Sequence, residues 1–73
     1  MTKTLTAIIE REGEDYVALC PELDIASQGA TVSEARKNLT EALELFFECA
    51  SSEEIAERLR PEVYVTSVEI TVG

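Results

Sequence analysis

From residue 3 the chain alternates. In KTLTAIIEREG, Leu5, Ala7 and Ile9 fall on one side of an extended backbone, and Thr4, Thr6, Ile8 and Glu10 on the other. That period of two predicts a first strand. Glu12-Gly13-Glu14-Asp15 interrupts it with a polar hairpin turn in which Gly takes the tight position. Tyr16 to Cys20, YVALC, is apolar at every position. So short an apolar run between turn signals predicts a strand covered on both faces. Pro21 lacks a backbone donor and closes the run. Ile25 to Ala30 is short and mixed, and is expected to form a third, partly paired strand.

The period then changes to that of a helix. Thr31 and Glu34 have capping-box spacing: the Thr hydroxyl can accept from the amide three residues on, and the Glu can reach back to the Thr amide. At about 100° per residue, Val32, Ala35, Leu39, Ala42, Leu43, Phe46 and Ala50 share one face, with Phe47 at its edge. Glu34, Lys37, Glu41, Glu44 and Glu48 share the opposite face, and Leu45 sits among them. The reading is an amphipathic helix of about five turns. Ser51 and Ser52, followed by Glu53 and Glu54, open a second, short helix. Pro61 disfavours helix at Arg60 and ends it, with Arg58 and Arg60 in the last turn, where cations suit the helix dipole.

EVYVTSVEITV, rich in β-branched residues, is expected to form a final strand. Its phase breaks between Val65 and Val68, which calls for a bulge near Thr66-Ser67 or for apolar cover on both sides. The predicted fold is a single α+β domain spanning residues 1–73: a three-stranded antiparallel meander, a long helix, a short helix and a final strand. One amphipathic helix covers one face of such a sheet. The apolar residues on the other face need a second cover, so a homodimer or higher homo-oligomer is expected. A chain of 73 residues buries only about 60% of its unfolded surface, which adds to that expectation.

Charge narrows the partners. There are 15 acidic residues against 6 basic, a net charge of −9. Binding nucleic acid requires phosphates to be neutralised, so direct contact with it is not expected. Between Glu41 and Glu57 the chain holds six Glu and no Lys or Arg. Solubility accounts for such a surface; so does steering towards a basic protein. No stretch is apolar enough to span a membrane and no leader peptide is evident, so a cytoplasmic protein is expected. Cys20 and Cys49 then read as small apolar residues in a reducing compartment.

Catalytic chemistry finds little to work with. His is absent, so Ser and Cys have no imidazole base, and a zinc site would have only two soft ligands. Glu10, Glu12, Glu14 and Asp15 cluster at the first hairpin, and Glu22 and Asp24 lie near the capped helix. A two-metal nuclease needs carboxylates converging from several elements, and nothing in the spacing provides that. Gly29 precedes a helix start, but no Lys or Arg lies between Arg11 and Arg36 to complete a phosphate cradle. Gly29 is read instead as supplying a backbone conformation that other residues resist. Neither a cofactor nor a metal is expected, and the chain is not read as an enzyme.

YVALCPELDIASQGATVSEARKNLTEALELF resembles the HicB-like antitoxin domain of type II toxin–antitoxin systems. The resemblance rests on Tyr16 opening the second strand, Pro21 followed by an acid and Leu23, Gly29, the Thr31-x-x-Glu34-Ala35 helix start, and Asn38 ahead of Glu41-Ala42. Many members carry Gly after the Pro-acid-Leu element, where this chain has Asp24-Ile25. Many also have an acid between Gly and Thr, where it has Ala30. The resemblance implies a truncated ribonuclease H-like fold without that fold's nuclease carboxylates. It also implies neutralisation of a small basic HicA-like toxin, an mRNA-cleaving protein that uses a histidine. A short form without a DNA-binding C-terminal module is expected, because the chain ends after the predicted last strand. Candidate toxin contacts are Glu41, Glu44 and Glu48 on the helix, the loop acids Glu22 and Asp24, and Leu45. An orphan oligomeric regulatory module is the alternative, and a metal-dependent nuclease the remote one.

Overall fold

A computed structural model describes residues 2–73. Three strands, β1 (Ile8–Glu12), β2 (Asp15–Cys20) and β3 (Ile25–Gly29), form an antiparallel meander in the order β1-β2-β3. Two helices follow, α1 (Val32–Cys49) and α2 (Ser52–Arg58).

β1 starts later than the alternation predicts. Ile8 pairs with Leu19 and Ile9 with Ala18. β2 stops at Cys20, before Pro21, so residues upstream of β1 face no strand. Leu5 still packs against the core. At the hairpin, Gly13 has φ 65°, at the turn position that the II′ class reserves for glycine. β3 is fully paired rather than partly so: Tyr16 faces Gly29, Ala18 faces Ser27 and Cys20 faces Ile25.

That register sorts the sheet into two faces. Ile9, Tyr16, Ala18, Cys20 and Ile25 point towards α1. Ala18, Cys20, Leu23, Ala35 and Leu39 form the buried core, margined by Leu43, Phe46, Phe47 and Leu59. Val32, assigned to the apolar helix face from its spacing, is instead 49% exposed at the first position of α1. On the other face Ile8, Leu19 and Ala26 form one row, with Glu10, Val17 and Gln28 beside it. Among the described residues no helix covers them.

The final strand predicted from EVYVTSVEITV does not form. After α2 the backbone carries no regular structure, and Tyr64, Val68, Ile70 and Val72 are each about four-fifths exposed. Strand-type residues pair only where an edge receives them, and within one chain neither edge of this sheet does.

Candidate functional site

α1 presents Glu34, Lys37, Glu41, Glu44, Leu45 and Glu48 on its exposed side. At about 100° per residue they fall within roughly a third of the helix circumference. Leu45, 59% exposed, sits between Glu41 one turn before it and Glu48 one turn after. No basic residue occupies the last turn of α1. The macrodipole disfavours anions there, so Glu48 stands where helix stability prefers a cation. Beside this stripe, Glu44 and Glu48 line an open groove of about 610 Å³ together with Lys3, Leu5, Thr40 and Phe47. The Lys3 ammonium lies 5.6 Å from the centre of the Phe47 ring.

The joint between β2 and α1 is organised differently from the surface that its acids suggested. Glu22 is buried. The Thr6 amide donates to both its carboxylate oxygens, at 3.1 and 3.0 Å, and the Thr6 hydroxyl donates to Oε2 at 2.7 Å. The Cys20 thiol donates to Oε1 at 3.4 Å. Burial pushes the Glu22 carboxyl up, but the bonds from Thr6, its own backbone N–H and the Cys20 thiol outweigh burial and hold it below its ordinary value. Burial also pushes the Cys20 thiol up, which keeps it protonated and unreactive. Glu22 therefore ties the segment before β1 to the β2–β3 turn. Its inclusion among the partner contacts is corrected: the carboxylate faces inward.

Asp24 is exposed and takes φ 54°, the left-handed region. Asp tolerates that conformation better than most residues. Gly29 is the converse. Its φ is not positive, so the conformational reason assigned to it from sequence does not hold. It is glycine because the backbone of Glu34 and Ala35 leaves no room for a side chain.

The cap also differs in detail. Thr31 Oγ1 accepts from the Glu34 amide at 3.0 Å, but the Glu34 carboxylate reaches past Thr31 to the Ala30 amide, at 3.2 Å. Asn38 Nδ2 donates to the Gln28 carbonyl at 2.8 Å, fastening α1 to β3. Tyr16 and Ala35 belong to the sheet–helix core, and Pro21 begins the turn after β2. These signature positions thus hold the joint together rather than form a pocket.

Sequence reasoning missed the clamp made by α2. Arg58 donates through Nη2 to the Leu23 carbonyl at 3.0 Å, and its guanidinium lies 4.9 Å from the centre of the Phe46 ring. The Arg60 amide donates to the Glu22 carbonyl at 2.8 Å. Only the position of Arg58 in a last turn was visible in sequence.

The hairpin acids Glu12, Glu14 and Asp15 are exposed at one end of β2 and Glu10 lies opposite Val17 within the sheet, whereas Glu22 and Asp24 lie beyond the other end of β2, roughly 20 Å from the hairpin tip at strand spacing. Among the described residues no three Asp, Glu, Cys or His side chains are grouped to hold a metal ion. No helix among them is long and apolar enough to cross a membrane. Comparison with protein-family models, with curated proteins and with solved structures finds no match.

Proposed function

We propose that this chain is an antitoxin-type protein that binds a small basic, RNA-cleaving toxin of the HicA-like kind and occludes its RNA-binding or catalytic surface. The observation that carries the reading is Leu45 standing exposed between Glu41, Glu44 and Glu48 on α1. A lone apolar side chain ringed by like charges matches a basic surface with a shallow apolar pocket. The Leu supplies the desolvated anchor, and the acids supply steering and register. Glu48 supports it further, because its position works against helix stability and so calls for another use. The resemblance in residues 16–46 points to the same partner class. Asp24 lies outside the stripe and is kept as a rim contact; Glu22 is not.

The test is co-expression with a neighbouring basic, His-containing reading frame. Growth of cells poisoned by that protein is expected to recover with the wild-type chain, and not with the Glu41→Lys, Glu44→Lys, Glu48→Lys triple variant. Absence of rescue by the wild-type chain counts against the antitoxin reading. The second reading, an oligomeric interaction module without a toxin, is favoured by the uncovered Ile8–Leu19–Ala26 row of the sheet.

A further inference from the structure

The segment after α2 is the part of the molecule that its own fold leaves unused. Leu59 packs against the core margin, and the Arg60 amide is bonded to the Glu22 carbonyl. The root of the segment is therefore held at the end of the sheet where β2 turns into β3. Beyond Pro61 come Val63, Tyr64, Val65, Val68, Ile70 and Val72, a composition suited to a pleated, half-buried surface. Yet Tyr64, Val65, Val68, Ile70 and Val72 are all exposed. The radius of gyration is 14.4 Å and the longest axis 50 Å, whereas a compact chain of this length has a radius of about 11 Å. A segment this rich in exposed large apolar side chains marks an interaction element.

The sheet offers that element a place. β1 and β3 are its edges. On β3 the Gln28 carbonyl is taken by Asn38. On β1, among the described residues, no side-chain hydrogen bond ends on a backbone group of Ile8–Glu12, so the outer edge of that strand is free to pair. An open, paired-on-one-side strand is a template for another strand. The chain itself supplies the occupant. Residues 62–72 are its exposed strand-type segment, and every copy carries both that segment and the open β1 edge. Glu62 and Glu69 are the only charged residues of the segment.

We infer that residues 62–72 of one chain add as a fourth strand beside β1 of a second chain, and that the exchange is reciprocal. Reciprocity makes the contact self-closing, and the same association brings a second copy next to the uncovered Ile8, Leu19 and Ala26 row. This goes beyond an expected oligomer by naming the element that makes it, and it does not depend on any toxin.

Light scattering and isotope-filtered NMR on the full chain test it. The wild-type chain is expected to be dimeric at low micromolar concentration, and the Val68→Asp, Ile70→Asp double variant monomeric with unchanged helical circular dichroism. In a mixture of labelled and unlabelled wild-type chains, contacts between the Ile70 methyls and residues of β1 are expected to cross from one chain to the other. Should the double variant fail to fold, the wild-type NMR contacts decide alone. A monomeric wild-type chain, a double variant that stays dimeric, Ile70–β1 contacts confined within one chain, or tail-to-tail contacts would each overturn the inference.

Discussion

Gly29 and Ala35 approach each other too closely for a side chain to stand between them. A β-carbon built on Gly29 would lie 2.6 Å from the Ala35 nitrogen, 2.8 Å from the Glu34 carbonyl carbon and 2.9 Å from the Glu34 β-carbon. Two of those three neighbours are backbone in the first turn of α1, which the Thr31 cap holds in place. Neither can swing aside as a flexible side chain would. Gly29→Ala is therefore expected to destabilise the domain by about 1–3 kcal/mol, the usual range for overpacking a tight contact. Urea denaturation followed by circular dichroism measures it. A loss below a few tenths of a kcal/mol would show that α1 can shift away from β3.

Glu22 and Thr6 make a pH-dependent tie. The folded-state carboxyl is held below its ordinary value, so the native state favours the ionised form. Its contribution is complete above the ordinary glutamate pKa and is lost as pH falls through the lowered folded-state value. Glu22→Gln removes the charge and is expected to cost about 1–3 kcal/mol at neutral pH, because buried donors lose an ionised acceptor. The difference in stability between wild type and variant should shrink on acidification. A difference that stays constant between neutral pH and pH well below the ordinary carboxylate range would sink the assignment.

At the end of α1, stability and binding are expected to move in opposite directions. Glu48→Lys places a cation near the helix C-terminus and should raise stability by about 0.3–1 kcal/mol. The same change should weaken binding to the co-expressed basic partner, with a reduced salt dependence. Thermal melts and titration at two ionic strengths check both halves. Leu45→Ala should leave stability within about 0.5 kcal/mol, since the side chain is mostly exposed, while lowering affinity.

Arg58 is expected to matter through geometry rather than charge. Its guanidinium both donates to the Leu23 carbonyl and stacks over Phe46, and Lys has no planar fork to do both. Arg58→Ala should cost about 1–2 kcal/mol, from a hydrogen bond and a cation–π contact together. Arg58→Lys should recover less than half of that. Full recovery by Lys would mean that charge alone suffices.

Asp24 provides a backbone test of the left-handed residue between β2 and β3. Asp24→Gly should be neutral to mildly stabilising, because Gly enters the left-handed region freely. Asp24→Val should cost about 1–2 kcal/mol, because a β-branched residue resists a φ of 54°. Equal melting temperatures for the two variants would exclude a conformational role.

How much of this was legible beforehand depends on distance along the chain. The Gly13 hairpin, the YVALC strand, the Thr31 and Ser51 caps and the acidic stripe with Leu45 among it all follow from the sequence alone. Each rests on periodicity or on bonds spanning three or four residues, such as the Glu34 amide to Thr31 and the Glu54 amide to Ser51. Tertiary structure decided the rest. Glu22 turned inward because Thr6, sixteen positions away, meets it. Arg58 became a clamp because Leu23, thirty-five positions away, presents a carbonyl. Gly29 proved to be a matter of space rather than of φ, which only the packing of α1 on β3 reveals. The final segment has every local property of a strand and pairs with no strand among the described residues of its own chain. Pairing needs an edge within reach, and the choice of edge belongs to the fold and its association, not to the residues that would do the pairing.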